Sequence, residues 1–364
     1  MKLCVIGNPN SLHTHRWISY FVRREYQVHL IGQRVPKRPV PAGVIFHDLT
    51  RLTRIRKLRF LIWALVIRRW VRQIQPDLLH AHGVASSGWL GAAAGFHPLL
   101  ITAHGSDLLL LEQRSWFHRQ LSLWALKKAD YITCVSQDLA QKARVLGIEP
   151  ERLETVYLGV DTEVFHPETI RSRLNLGPGP VVLSIRATKP IYNPLDIAQA
   201  IPLVCQQVPL ARFVILTYNA DPTLLAQFQS IVQRGGVATA VQYVGELADD
   251  HAIADYYRAA DIAISIPSSD GTPKSVQEAM ACGTPVIVSD VPSLHEWVKH
   301  EREGLFVPVG DVKAIGAAMV RLLTDNTLCH KLGANSARSI RQRADSKVWM
   351  HRSEEIYRRL LEEH

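Results

Sequence analysis

Two acids, Asp270 and Glu278, stand eight positions apart in the stretch SSDGTPKSVQEAMACGTPVIVSD, residues 268–290, with a Gly-Thr-Pro turn between them. Thr272 as N-cap and Pro273 at the first helical position predict a helix start here, and Gly283 predicts its end. The amides of Lys274 and Ser275, together with the dipole of that helix, then form an anion site for which phosphate is the fitting guest. Glu278 lies one turn further in, where a carboxylate accepts hydrogen bonds from two adjacent hydroxyls such as a ribose diol. Asp270, in the loop with Gly271, reaches hydroxyls on the far side of a diphosphate, and charged acceptors make the stronger hydrogen bonds. The two acids would thus bracket one extended ligand, a sugar nucleotide. A plainer reading stands beside this one: Lys274 and Glu278 as an i,i+4 pair on a surface helix, contributing about 0.2–0.5 kcal/mol, and Asp270-Gly271 as turn chemistry.

Other residues of the right type lie at the ends of apolar runs. Arg186 and Lys189 follow a strand-like run in LSIRATKPIYNP. Each is an anion contact or a solvated loop charge, and the bidentate pairing open to a guanidinium makes Arg186 the stronger candidate of the two. His104 ends a strand-like run in LLITAHGSD and is followed by Asp107. His80 and His82 alternate and therefore share a sheet face, but no carboxylate or third histidine is spaced to complete a ligand set, so no metal site is expected. The chain contains no D-x-D triplet. Leaving-group charge is then expected to meet Arg186, Lys189 and the amides of the 272–275 turn through preorganised electrostatics. The first loop, GNPNSLHTHRWISYF, lacks G-x-G-x-x-G, which weighs against a nicotinamide or flavin cofactor; none is expected.

These residues need a scaffold that gathers loop ends, and the sequence supplies its pattern. Short apolar runs alternate with amphipathic stretches, as in parallel sheets with crossover helices. In a first block the strands are KLCVIG, QVHLIG, LLHAH, LLITAH and YITCVS; in a second they are VVLSI, RFVILT, VQYVG, IAISIP and PVIVSD. The expected fold is α/β: two facing Rossmann-like domains with parallel sheets and a cleft between them. The Gly/Pro-rich stretch NLGPGP, 175–180, reads as the linker. The domains are set at 1–170 and 171–345. An amphipathic helix over 346–364, with Val348, Trp349, Ile356, Leu360 and Leu361 near helical spacing, completes the first.

The 364 residues, 47% hydrophobic and 21% charged, suit two globular domains. Five scattered cysteines form no C-x-x-C pair, so neither a disulfide framework nor a zinc site is indicated. The N-terminal apolar run is too short for a signal peptide, and a cytoplasmic location is expected. A net charge of +9 calls for an anionic partner: nucleic acid, a phosphate-bearing small molecule or an acidic membrane surface. Nucleic acid is disfavoured because aromatic residues are not interleaved with basic ones on an expected sheet face. The segment RLTRIRKLRFLIWALVIRRWVRQIQPD, 51–77, joins arginines to an apolar FLIWALVI too short to span a bilayer. It reads either as a helix lying peripherally on the inner membrane face or as a crossover helix basic on one side, two readings that are compatible. Trp116, Phe117 and Trp124, in the segment 108–130, would help dock a lipid-linked acceptor.

The segment 268–290 also resembles the donor site of the family 4 retaining glycosyltransferases of the GT-B fold, group 1, whose pattern is an acid, seven residues, then Glu, followed by AMACG.PVI. PDLLHAHG, TAHGSD, ADYITCVSQ, VYLGVDTEVFHP and VGELADDHAIADYYRAADIAIS resemble the family's successive blocks in order, over nearly the whole chain. The resemblance implies a metal-independent, hexosyltransferase-like enzyme. It would move a sugar from a nucleotide-diphosphate sugar, its co-substrate, to a hydroxyl of a glycan or lipid-linked acceptor, with retention, in cell-envelope glycan synthesis. It implies catalytic roles for His104, Asp270 and Glu278. Donor binding would fall to Arg186, Lys189, Gly271, Thr272, Pro273, Lys274, Ser275 and Glu278, and acceptor contacts to Asn8, Asn10, His15 and Asp107. Three departures stand out: Asp270 where the family most often has Glu, one methylene shorter; Lys189 two positions early; and Tyr192-Asn193 in place of Lys-Gly. Two rival expectations are a non-catalytic GT-B partner subunit and a sugar-nucleotide epimerase of the same build, for which no clear acid–base pair is present.

Overall fold

A computed structural model describes residues 1–52, 59–168 and 174–364. The expected domain boundary at 170 and the arginine-rich stretch 53–58 fall outside the described residues. The chain divides into two compact units, one of Met1–Leu158 with Val348–His364 and one of Gly159–Lys347. Residues 159–168 therefore belong with the second unit rather than the first. The 175–180 stretch also lies within the second unit, where a Cβ on Gly179 would fall 1.6 Å from the Leu210 carbonyl oxygen. That glycine serves close backbone packing and not a hinge.

The first unit is a seven-stranded parallel sheet, β1 (Lys2–Gly7), β2 (Gln27–Gly32), β3 (Val44–Asp48), β4 (Leu78–His82), β5 (Leu99–Ala103), β6 (Tyr131–Cys134) and β7 (Leu153–Thr155), ordered 3-2-1-4-5-6-7. Its helices are α1 (Leu12–Arg23), α2 (Arg59–Ile74), α3 (Ser87–Ala94), α4 (Ser106–Leu109), α5 (Trp116–Lys128) and α6 (Gln137–Val145). Both sheet faces are covered, so the strands read as continuous apolar runs whose side chains part to opposite sides. Cys4 and Ile6 join the core built with α2, α3, α5 and α6, whereas Leu3 and Val5 join the one that holds Trp17, Ile18 and Phe21 of α1.

The second unit is a six-stranded parallel sheet, β8 (Val181–Ser184), β9 (Arg212–Leu216), β10 (Val241–Val244), β11 (Ile262–Ser265), β12 (Val286–Ser289) and β13 (Gly304–Val307), ordered 10-9-8-11-12-13. Its helices are α7 (Pro194–Gln207), α8 (Pro222–Arg234), α9 (Asp250–Ala259), α10 (Lys274–Ala281), α11 (Pro292–His295), α12 (Val312–Thr324) and α13 (Asn326–Arg343). Both sheets step outward from a first strand on one side and resume on its other side. This creates a switch point between β1 and β4 and another between β8 and β11, where open α/β sheets take their ligands. No helix among the described residues is long and apolar enough to cross a membrane.

The last helix, α14 (Ser346–Glu362), returns to the first unit. Met350, Ile356, Tyr357 and Leu360 are buried in the same core as Trp17 and Phe21. The buried Glu354 carboxylate accepts hydrogen bonds from Tyr26 Oη at 3.0 Å, Arg24 Nη2 at 3.3 Å and Arg358 Nη2 at 2.8 Å. Burial works to raise its pKa, but these partners outweigh burial and hold it below the ordinary glutamate value. A chain ending at Lys347 forfeits four buried apolar side chains, each worth about 1.5–3 kcal/mol, a sum comparable to the whole stability of a domain. Calorimetry of that truncated chain is expected to lose the first unit's share of the unfolding enthalpy, with residues 1–158 becoming sensitive to protease. An unchanged unfolding profile would overturn this account of α14.

Candidate active site

At the switch point of the second sheet, the loop after β8 brings Arg186 against Asp270 from the loop after β11, and the two form a directly hydrogen-bonded ion pair. Arg186 also donates through Nε to Ser265 Oγ at 3.0 Å, and its guanidinium carbon lies 4.9 Å from the Tyr192 ring centroid. Burial acts to lower the Arg186 pKa, but the Asp270 charge, Tyr192 and Tyr257 outweigh it and leave the guanidinium more firmly protonated than usual. The sequence places Arg186 on a diphosphate and Asp270 on hydroxyls as separate contacts; the structure makes them partners. Lys189 is half-buried and has no acid beside it among the described residues.

Tyr192 and Asn193 have a physical role here. Asn193 adopts φ 45°, ψ 49°, a left-handed conformation open to glycine and asparagine. Its amide donates to the Ile266 carbonyl at 2.9 Å and to Ser268 Oγ at 2.8 Å. That clamps the Arg186 loop to the Asp270 loop. Asn193 thus supplies the turn a glycine would, and Tyr192 stacks on the arginine.

The start of α10 departs from expectation. Pro273, not Thr272, is the capping residue, and the Lys274 amide donates to the Thr272 carbonyl at 2.8 Å, so it is spent within the turn. Among the described residues no group accepts from the amides of Ser275 and Val276, which moves the open end of the helix one residue inward. Gly271, Thr272 and Pro273 form the turn itself. Lys274 and Glu278 are buried, which excludes the reading as a solvated surface pair. Lys274 Nζ lies 3.7 Å from Glu278 Oε1 and donates to the Gly159 carbonyl, while Tyr257 Oη donates to Glu278 Oε2 at 3.4 Å. Gly159 has φ +64°, and a Cβ there would lie 2.5 Å from Ser346 Cα, so only glycine presents that carbonyl. The hydroxyl of Ser275 and both amide atoms of Gln277 are buried with no hydrogen-bond partner among the described residues. Buried polar groups are rarely left so unless something polar joins them.

The first unit gathers its own polar cluster at the β1/β4 switch point. His80 and His82 share a face of β4 with ring centroids 4.4 Å apart, the His104 ring lies 5.3 Å from that of His82, and His13 stacks on His104 at 6.3 Å. The third and fourth histidines come from other strands and helices, a proximity that spacing along the chain does not reveal. No group of three His, Cys, Asp or Glu suited to a metal ion occurs among the described residues. His80 is structural: Trp17 Nε1 donates to Tyr357 Oη at 2.8 Å, Tyr357 Oη meets His80 Nδ1 at 2.6 Å, and His80 Nε2 meets Thr102 Oγ1 at 2.7 Å. Using every donor requires Tyr357 to donate to Nδ1 and Nε2–H to donate to Thr102. Both nitrogens of His82 and Nδ1 of His104 are buried without a partner among the described residues.

The expected acceptor residues are engaged with backbone. Asn8 Oδ1 accepts from the Asn10 amide at 3.1 Å, Asn10 bonds the Val35 carbonyl at 2.9 Å and the Lys37 amide at 2.6 Å, and His15 Nε2 meets the Pro9 carbonyl at 2.5 Å. They hold the first loop in shape, and it is His13, not His15, that lies against His104. Asp107 accepts from the amides of Val84 at 2.8 Å and Gly105 at 2.8 Å and from that of His104 at 3.2 Å, fastening the loops after β4 and β5. Sequence reading missed His13, Gly159, Tyr192, Asn193, Tyr257 and Ser265 as site-builders; Gly159 and Asn193 carry a legible signal, since each occupies a left-handed position.

Burial holds His80 and His82 well below the ordinary histidine pKa of 6.5; burial also lowers His104, with the Asp107 charge opposing. The unfolded chain therefore binds more protons than the folded one below about pH 6.5, and stability, complete above that pH, falls as pH drops toward the folded values. Each such histidine contributes up to about 1.4 kcal/mol per pH unit of that fall. His82→Leu is expected to flatten the dependence of the unfolding midpoint on pH between neutrality and mild acid. An unaltered slope would contradict a neutral, buried His82.

Comparison with known proteins agrees with this architecture. Residues 2–136 match the family described as Glycosyl transferase 4-like, and residues 179–325 match Glycosyl transferases group 1. The chain is 27% identical over 309 residues to the D-inositol 3-phosphate glycosyltransferase of Rhodococcus erythropolis, covering 78% of this chain and 68% of that protein. To the N-acetyl-alpha-D-glucosaminyl L-malate synthase of Bacillus anthracis it is 20% identical over 349 residues, covering 92% and 89%. Among solved structures, sucrose-phosphate synthase from Thermosynechococcus elongatus superposes with TM-score 0.87 at 21% identity over 100% of both chains. Anabaena HepE in complex with UDP-glucose superposes with TM-score 0.81 at 18% identity, covering 98% of this chain and 99% of that one. With two parallel-sheet Rossmann-like units of like strand order and both family matches in sequence, the chain belongs to the family 4, group 1 glycosyltransferases of the GT-B fold.

Proposed function

We propose that the protein transfers a hexosyl group from a uridine diphosphate sugar to a hydroxyl of a glycan or lipid-linked acceptor, with retention and without a metal ion. The carrying observation is the convergence of Arg186, Asp270, Lys274 and Glu278 at the carboxyl end of the second sheet, on two loops and one helix start. As the anomeric C–O bond to the diphosphate breaks, its electron pair goes to the diphosphate, while the acceptor hydroxyl oxygen forms the new C–O bond on the same face and its proton passes to the departing diphosphate oxygen. Arg186, Lys189 and the amides of Ser275 and Val276 oppose that charge from fixed positions, a role that elsewhere falls to a cation. Glu278, braced by Lys274 and Tyr257, accepts from the ribose diol. Asp270 is bound to Arg186 before the donor arrives; the diphosphate exchanges with it for the guanidinium and frees its carboxylate for the sugar hydroxyls.

The first unit takes the acceptor, and His104, at the switch point of its sheet, is the residue of that unit proposed for a catalytic role. The solved neighbours that support a uridine donor are HepE with UDP and with UDP-glucose. A role in envelope glycan synthesis is supported by likeness in fold to WaaG, a glycosyltransferase involved in lipopolysaccharide biosynthesis, with TM-score 0.80 at 12% identity.

Titration calorimetry with UDP and GDP tests the donor half. Arg186→Ala removes hydrogen bonds to a charged group and is expected to weaken UDP about 10- to 100-fold, as losses of about 1.5–3 kcal/mol imply. Asp270→Asn, which releases the guanidinium, is expected to tighten UDP while slowing sugar transfer. Glu278→Gln is expected to reduce both binding and turnover of the intact sugar nucleotide. UDP affinity that is the same in wild type and in folded Arg186→Ala would remove the basis of this assignment.

A further inference from the structure

Helix α2 buries Trp63, Ile67, Val71 and Ile74 against the first unit. The opposite stripe, Leu61, Leu65, Arg68 and Arg72, falls within about 60° around the axis. Leu61 and Leu65 are 61% and 71% exposed, and all four residues face solvent. Helix α5 behaves alike: Ser122, Ala125 and Leu126 are buried, but every residue from Trp116 to Gln120 is exposed, with Trp116 at 74% and Phe117 at 61%. The two helices flank α3, and ring contacts span them. Phe60 meets Trp89 edge-on at 6.2 Å, and Trp89 meets His118 at 5.4 Å. The leucines and the aromatic tip thus belong to helices packed side by side on the same core.

The charge around them has one sign. Between Asp48 and Asp77 the sequence holds eight Lys or Arg and no acid. Glu112, just before α5, is paired with Lys142 at 2.6 Å, and Arg114 and Arg119 flank the exposed Trp116 and Phe117. A second copy of this chain would bring arginine stripe to arginine stripe in a two-fold contact, which like-charge repulsion opposes. Leucine and tryptophan tips set among arginines suit instead the boundary between acyl chains and anionic headgroups.

We propose that this face of α2, α3 and α5 docks the first unit on an anionic lipid surface, with Leu61, Leu65, Trp116 and Phe117 entering the interface and Arg68, Arg69 and Arg72 on the headgroups. The claim concerns binding, so it stands or falls separately from the donor assignment.

The test is co-sedimentation of the full chain with vesicles of phosphatidylcholine and of phosphatidylcholine mixed with phosphatidylglycerol. Binding is expected to the mixed vesicles and to weaken as salt rises, since the attraction is screened. Each charge near the surface is worth about fivefold in partition, so Arg68→Glu with Arg69→Glu should lower binding about tenfold or more. Trp116→Ser with Phe117→Ser should remove the part that survives high salt. All four positions are exposed, and circular dichroism checks that the variants fold. Three results would each overturn the proposal: no binding to either vesicle, equal binding to both that the arginine variant leaves unchanged, or a dimer in solution that the Trp116/Phe117 variant makes monomeric.

Discussion

The ion pair of Arg186 and Asp270 is the contact around which the second unit's site is arranged. Both side chains are largely withdrawn from water, and each is tolerable there because of the other. Removing one partner of a buried pair typically costs about 3–5 kcal/mol, because the survivor stays charged and dry. The pair exists because of topology: β8 and β11 are neighbours across the point where strand order reverses, so residues 84 apart in sequence meet. Asn193, bonded to Ile266 and Ser268, then fixes the two loops to one another. A diphosphate offers the guanidinium the same bidentate geometry as a carboxylate, with more charge. Under the proposed donor assignment, Asp270 thus occupies the guanidinium as a diphosphate would.

The first unit solves a different problem, how to keep histidines uncharged near a strand end. His80 is saturated by Tyr357 and Thr102, and its line of hydrogen bonds continues from Thr102 to Thr133 at 2.7 Å. This network reaches from α14 across β4 and β5 to β6 and fixes the backbone from which His82 and His104 project. Asp107 adds a second brace by collecting three amides from two loops. The groups nearest the expected chemistry thus rest on residues whose own bonding is complete, which is how a site keeps its geometry.

Ten strands were legible in the sequence, nine of them because each is a largely buried apolar run and the tenth, the half-exposed edge strand β10, because VQYVG is rich in β-branched and aromatic residues. The three that escaped notice, β3, β7 and β13, are all sheet edges. VIFHD is largely half-exposed and LET has a single buried residue, so neither carries the buried apolar run that marked most of the others; GLFV does carry one and went unread. At the site, the acids could be picked out by their spacing about a helix start, and Arg186 by its place in the family resemblance. Their mutual bonding could not, since that depends on which strands become neighbours. Thr272 looked like a cap from its hydroxyl, yet Pro273 takes that place once the turn closes on the Lys274 amide. Asn8, Asn10 and His15 are assigned to the acceptor by the family resemblance alone, and the structure adds that their side chains bond the backbone of their own neighbourhood.

The first unit is built from both ends of the chain, with Tyr357 and its neighbours in its core. A ribosome making this protein releases residues 1–158 long before α14 exists, so the first unit is completed only after the whole of the second has been made. The second unit, whole once Lys347 has emerged, is free to fold as an uninterrupted piece, and domains generally fold as units during synthesis. Until residues 348–364 leave the exit tunnel, Trp17, Phe21 and the His80 network lack their lid, and the nascent chain at that stage carries an open apolar sheet face that chaperones would be drawn to.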